Sequence, residues 1–184
     1  QISYNYDIYD MVSGVKTTPN GYIASGWAWG SINIVPFASE IFETDTLGKI
    51  LWARRYKDGG TFPFFIGTEN LLINDLQKTA SGGYVMTGTF GSNALILKIN
   101  SDGSIASVKN KYGVSAKESG KGVRETPAGD IIVAGSSYAK SMNPNKDSTS
   151  IYVFKANSSG AYQWGRSYTL TSPVFDSHDA TNDL

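Results

Sequence analysis

His178 is the only histidine of the 184-residue chain, set in Asp176-Ser177-His178-Asp179 with Asp183 close behind. Imidazole titrates near neutrality and carboxylates orient it, so the cluster has the residue types of a metal site or an acid–base pair. A Ser/His/Asp triad would need the same histidine. The segment is polar and carries no nucleophile-elbow motif, so a solvated loop is expected. Asn143-Pro144-Asn145-Lys146-Asp147-Ser148 places oxygen ligands at positions one, three and five of a calcium loop. Ser148 stands at position six instead of Gly, Phe154 at position twelve instead of Glu, and Lys146 lies inside, which favours a plain exposed loop. Asn157-Ser158-Ser159 satisfies the glycosylation sequon. Trp27, Trp29 and Phe37, with Phe62, Phe64 and Phe65 around Pro63, are the candidates for a ligand-binding surface. Loop aromatics stack on sugar rings, bury in a partner, or cap the ends of neighbouring sheets. No set of residues converges on a catalytic arrangement. The expectation is a non-enzyme without metal or cofactor.

Composition narrows the partners. Sixteen Lys+Arg balance sixteen Asp+Glu, so no excess positive potential exists to hold a phosphate backbone, and nucleic acid is not expected. With no cysteine there is no disulfide framework and no thiolate chemistry. Apolar runs such as Ile131-Ile132-Val133-Ala134 fall far below the roughly 20 residues of a spanning helix. The chain opens at Gln1 without a basic-then-apolar leader, consistent with a signal peptide already removed and an extracellular or cell-surface location.

The elements that carry these residues repeat. Thr17-Thr18-Pro19-Asn20-Gly21-Tyr22-Ile23-Ala24-Ser25-Gly26 aligns without gaps on the segments Thr79 to Gly88 and Thr126 to Gly135. A second block follows each: Asp45 to Trp52, Asn100 to Ser107 and Asn157 to Trp164, with an Asx three residues before Gly48, Gly103 or Gly160. Tyr56, Tyr112 and Tyr168 close the three copies. An Asx side chain bonding the backbone two residues on, followed by a Gly with positive φ, makes a tight reversal, so the flanking segments should pair as hairpins. Before each Asx lies a nearly continuous apolar run, as in Leu95-Ile96-Leu97, the pattern of a strand covered on both faces. A further short segment precedes each Thr, giving four strands per repeat. Gly26, Gly88 and Gly135 are expected at bulges or close backbone approaches, and Trp52, Trp164 and the closing tyrosines in packing between repeats.

Four short antiparallel strands per unit is the blade of a β-propeller. The expected fold is all-β: blades at 8–58, 59–113 and 114–169, a strand of a preceding blade at 1–7, and a linker with the first strand of a further blade at 170–184. Gly26 to Gly48 spans 22 residues and Gly135 to Gly160 spans 25, against 15 for Gly88 to Gly103. Blades 1 and 3 therefore carry insertions at one topological place, between second and third strands.

With Gly-Tyr-Ile/Val-x-x-Gly followed by Asx-x-x-Gly-x-x-x-Trp, the sequence resembles the β-propeller repeats of bacterial and archaeal surface and secreted proteins, and is similar to the quinoprotein-type repeat. That resemblance implies that each blade's tryptophan docks on its neighbour. Ser107 stands where Trp52 and Trp164 stand, so the second blade lacks the docking residue. The signatures of kelch, tryptophan-aspartate and sialidase repeats are absent, and no active-site residue carries over.

Asn182-Asp183-Leu184 copies Asn74-Asp75-Leu76, and Ile2 to Tyr6 resembles a closing strand. Three blades with an orphan strand at each end cannot close a ring, which typically needs four to eight blades. The expected role is a non-catalytic structural or adhesive protein that assembles with its own copies, as ring or filament, or forms part of a longer surface protein. The alternatives are a carbohydrate- or protein-binding module, and a fragment of a quinoprotein-like or polysaccharide-acting enzyme.

Overall fold

The computed structural model describes residues 9–29, 38–56, 71–110, 112, 117–139 and 148–169. The segments 1–7 and 170–184, His178, Asp176, Asp179, Asp183, Phe37, Phe62, Phe64 and Phe65 lie outside them, as does most of the calcium-like loop. The described residues form twelve strands in three antiparallel sheets of four, each joined in chain order. The first holds β1 (Tyr9–Thr18), β2 (Gly21–Trp29), β3 (Ala38–Asp45) and β4 (Ile50–Tyr56). The second holds β5 (Leu71–Lys78), β6 (Tyr84–Phe90), β7 (Asn93–Ile99) and β8 (Ile105–Asn110). The third holds β9 (Lys117–Glu125), β10 (Ile131–Ala139), β11 (Ser148–Ala156) and β12 (Tyr162–Tyr168).

Asx chemistry closes the β3–β4 and β11–β12 hairpins. Asp45 Oδ1 accepts from the amides of Leu47 and Lys49, both at 2.9 Å, and Asn157 Oδ1 accepts from Ser159 and Ala161 at 3.1 and 2.8 Å. The glycine three residues on takes φ near +80° in all three copies, a conformation that costs other residues energy. The β7–β8 turn departs from the pattern: Asp102 Oδ1 accepts from the Ser104 amide at 2.9 Å, while Asn100 donates through its side chain to Ser104 Oγ. The carboxylate of Asp102 is held below its ordinary pKa first by the Ser104 hydroxyl, which donates to its Oδ1 at 2.7 Å, and then by the Ser104 amide.

The gapless alignment of the first hairpins needs one correction. In the second and third sheets the turn runs Thr79–Gly82 and Thr126–Gly129, each glycine amide donating to the threonine carbonyl. In the first sheet Thr18 pairs with Gly21 across Pro19 and Asn20 alone. Proline at the first central position presets the turn and shortens the loop, so Lys16, Gln77 and Arg124 are structurally equivalent, opposite Ile23, Val85 and Ile132.

Each first strand carries a β-bulge, at Ser13, Asn74 or Lys121, beside Gly26, Gly88 or Gly135. A Cβ on those glycines would overlap the carbonyl oxygens of Met11, Leu72 and Ser119 respectively. The backbones approach too closely for any side chain, as expected of a glycine next to a bulge.

The sheets pack in series. One core joins the first two through Ile23, Ile41, Ile73, Leu76, Met86 and Leu97, and a second joins the last two through Val85, Ile96, Val123, Ile131, Val133 and Phe154. The strands β5 and β9 lie closest to the preceding sheet. On the outer strands large side chains span the gap instead.

Candidate functional site

The most organised chemistry among the described residues lies where one sheet meets the next. Tyr56, at the end of β4, donates its hydroxyl to the carbonyl of Gly103 in the next sheet at 2.5 Å. Tyr112, which follows β8, makes the same bond to the carbonyl of Gly160. Both phenols are buried, and burial raises their pKa well above the ordinary 10.0, so they remain donors. The closing tyrosines of the first two repeats thus bolt onto the Asx-x-x-Gly turns of their successors.

Trp52 completes the first bolt. A Cβ on Gly103 would come within 2.8 Å of the Trp52 ring, so the glycine is the seat on which the indole lies. Trp52 Nε1 donates to Glu43 Oε2 at 2.8 Å, and its ring lies 6.5 Å from that of Tyr84 in the second sheet. The buried Glu43 carboxylate also acts on the Tyr84 phenol: desolvation first, then that charge, push Tyr84 up to about 12. One carboxylate therefore orients the indole that meets Tyr84 of β6.

The missing tryptophan of the second repeat has a substitute. Ser107 pairs with Lys98, as Trp52 pairs with Glu43. Lys98 Nζ reaches the Ser158 carbonyl at 2.9 Å, contacting the Asn157 turn directly. Ser107 on its own reads as the loss of a docking residue. The compensating residue sits across the strand pair, visible only once the register is known.

A second connection runs along the inner strands and was not foreseen. Among the described residues the inner edge of β9 has no strand partner, so its backbone groups need satisfaction from elsewhere. Three side chains of β5 supply it. Asn74 Nδ2 donates to the Gly120 carbonyl at 2.7 Å, Asp75 Oδ2 accepts from the Val123 amide at 3.0 Å, and Gln77 Oε1 accepts from the Glu125 amide at 2.8 Å. Asp75 also faces Arg124 Nη1 at 3.1 Å and Lys16 Nζ at 3.5 Å, so one buried carboxylate links β1, β5 and β9. Ser39 does the corresponding work for β5, accepting from the Ile73 amide at 2.8 Å and donating to the Leu71 carbonyl at 3.0 Å. The signal in the sequence was the polar run Asn74-Asp75 with Gln77 inside an otherwise apolar strand.

The remaining candidates are placed as follows. Trp27 and Trp29 belong to β2, paired with Met11 and Tyr9, and are not insertion-loop residues as expected: the strand ladder runs further into the insertion than apolar patterning suggested. Asn157 is engaged by its own turn, and Ser159 Oγ donates to its Oδ1 at 2.7 Å. A cleft of about 250 Å³ lies over the short β6–β7 turn, lined by Thr89, Ser92, Lys117, Glu118, Ser136 and Tyr138. Among the described residues, no three His, Cys, Asp or Glu gather as a metal site, and no helix is long and apolar enough to cross a membrane.

The bolt residues are not equally covered. Tyr56 and Tyr112 are 5% and 3% exposed, whereas Tyr168 at the same repeat position is 52% exposed and Trp164 is 40% exposed. No protein-family model matches the chain, and no curated protein matches it at a significant level.

Proposed function

We propose that the chain is a non-catalytic structural or adhesive protein of the β-propeller-repeat type, acting outside the cell or at its surface. Its sheets dock serially, within the chain and onto further sheets bearing the same turn. The observation that carries this reading is the repeated bolt: Tyr56 onto Gly103 and Tyr112 onto Gly160, with Trp52 or Lys98 reinforcing it. The propeller arrangement is supported by the packing, in which successive sheets approach most closely at their first strands and are bridged by long side chains at their last. The extracellular and non-catalytic parts rest on the sequence: the Asn/Ser/Thr/Gly-rich neutral surface and the lack of a convergent catalytic set.

Native mass spectrometry of the intact protein beside negative-stain imaging tests the reading. Rings or filaments assembled from whole chains are expected. A particle that stays monomeric at every concentration contradicts an assembling role.

A further inference from the structure

The two ends of the sheet series carry complementary halves of one contact. On the third sheet, β12 presents Trp164 and Tyr168, the equivalents of Trp52 and Tyr56, both open to solvent. On the first sheet, Gly48 is exposed, and a Cβ there would meet nothing within 4 Å, whereas its equivalents Gly103 and Gly160 are buried under the preceding sheet. Tyr22 is 45% exposed while its equivalent Tyr84, which meets Trp52 across the sheet interface, is 2% exposed. Val15 is 61% exposed while Leu76 and Val123, at the same structural position, are fully buried. Every difference has the same cause: among the described residues, no sheet packs in front of the first or behind the third.

Resting on the assembly reading above, we propose that the β12 face docks on the first sheet of a second copy of this chain, head to tail. Trp164 lies over Gly48 of the second copy, beside its Tyr22, and the Tyr168 hydroxyl donates to its Gly48 carbonyl. The occupant is argued from continuity. The internal contact between first and second sheets already joins a Trp-x-x-x-Tyr strand to a Gly turn flanked by a tyrosine, and the described residues show both halves again, exposed. Lys155, opposite Trp164, is held by Asp130 at 2.7 Å and leaves the indole untethered from its own sheet. A heterologous contact of this kind propagates until it closes. The described sheets of two copies would number six, within the four to eight blades typical of propellers.

Sedimentation velocity of the full chain tests the contact with two variants. Trp164→Ser installs the residue that the second repeat carries at position 107, and Tyr22→Lys charges the receiving face. Both sites are exposed in the single chain, so the fold is retained. Concentration-dependent association of the wild type is expected, weakened about tenfold or more in each variant, as for loss of an aromatic hot spot. Mixing the two variants should restore a one-to-one complex, because each retains the half the other lacks. Wild-type association unchanged by either substitution would overturn this contact while leaving assembly standing. Absence of restored pairing on mixing overturns the head-to-tail geometry, and a wild type monomeric at all concentrations overturns both readings.

Discussion

A tyrosine hydroxyl that donates to a carbonyl of the next sheet must keep its proton; burial holds it on Tyr56 and Tyr112, and burial with the nearby Glu43 charge holds it on Tyr84. Their folded-state pKa values lie above the ordinary 10.0 of an unfolded tyrosine. Their contribution to stability is therefore fully present below about pH 10 and is lost as pH rises through the folded values, about 12 for Tyr84. Urea midpoints should fall between about pH 10 and about pH 12, and Tyr84→Phe should flatten part of that slope. A midpoint unchanged across that range would show that the phenols are not buried as donors. At this scale the same position takes different chemistry in each repeat. Glu43 orients an indole, Lys98 replaces one, and Lys155 pairs with Asp130, so the reinforcement was legible at Trp52 and hidden at Ser107.

The strands themselves were legible because short apolar runs bounded by Asx-x-x-Gly leave few alternatives to a hairpin. The insertions also fall where the repeat comparison put them, between second and third strands. What composition could not convey was register: the Pro19 turn offsets the first repeat by one residue, and Trp27 and Trp29 extend β2 into the insertion. Equally hidden was the problem of the inner edge, since an unpaired strand edge is a property of topology rather than of local sequence. Its solution in β5 leads to a prediction. Asp75→Ala strips the Val123 amide of its acceptor and leaves Lys16 and Arg124 without their shared carboxylate. The loss should be about 2–4 kcal/mol of unfolding free energy, measured by chemical denaturation. A cost within about 0.5 kcal/mol, the range of surface substitutions, would mean that water satisfies the β9 edge as well as Asp75 does.

As a whole, the molecule is a series of like sheets in which each interface reuses one residue plan, and stability should accumulate interface by interface. The three closing tyrosines count those interfaces. Tyr56 and Tyr112 hold filled bolts and Tyr168 an open one, a distinction invisible in a sequence where all three stand at the same repeat position. Chemical denaturation of Tyr56→Phe, Tyr112→Phe and Tyr168→Phe, in one series at a protein dilution that keeps chains separate, tests this directly. The first two should each lose about 1 kcal/mol, the net worth of a buried hydrogen bond, and the third should match the wild type. Equal losses at all three positions, or none at Tyr56 and Tyr112, would contradict the account.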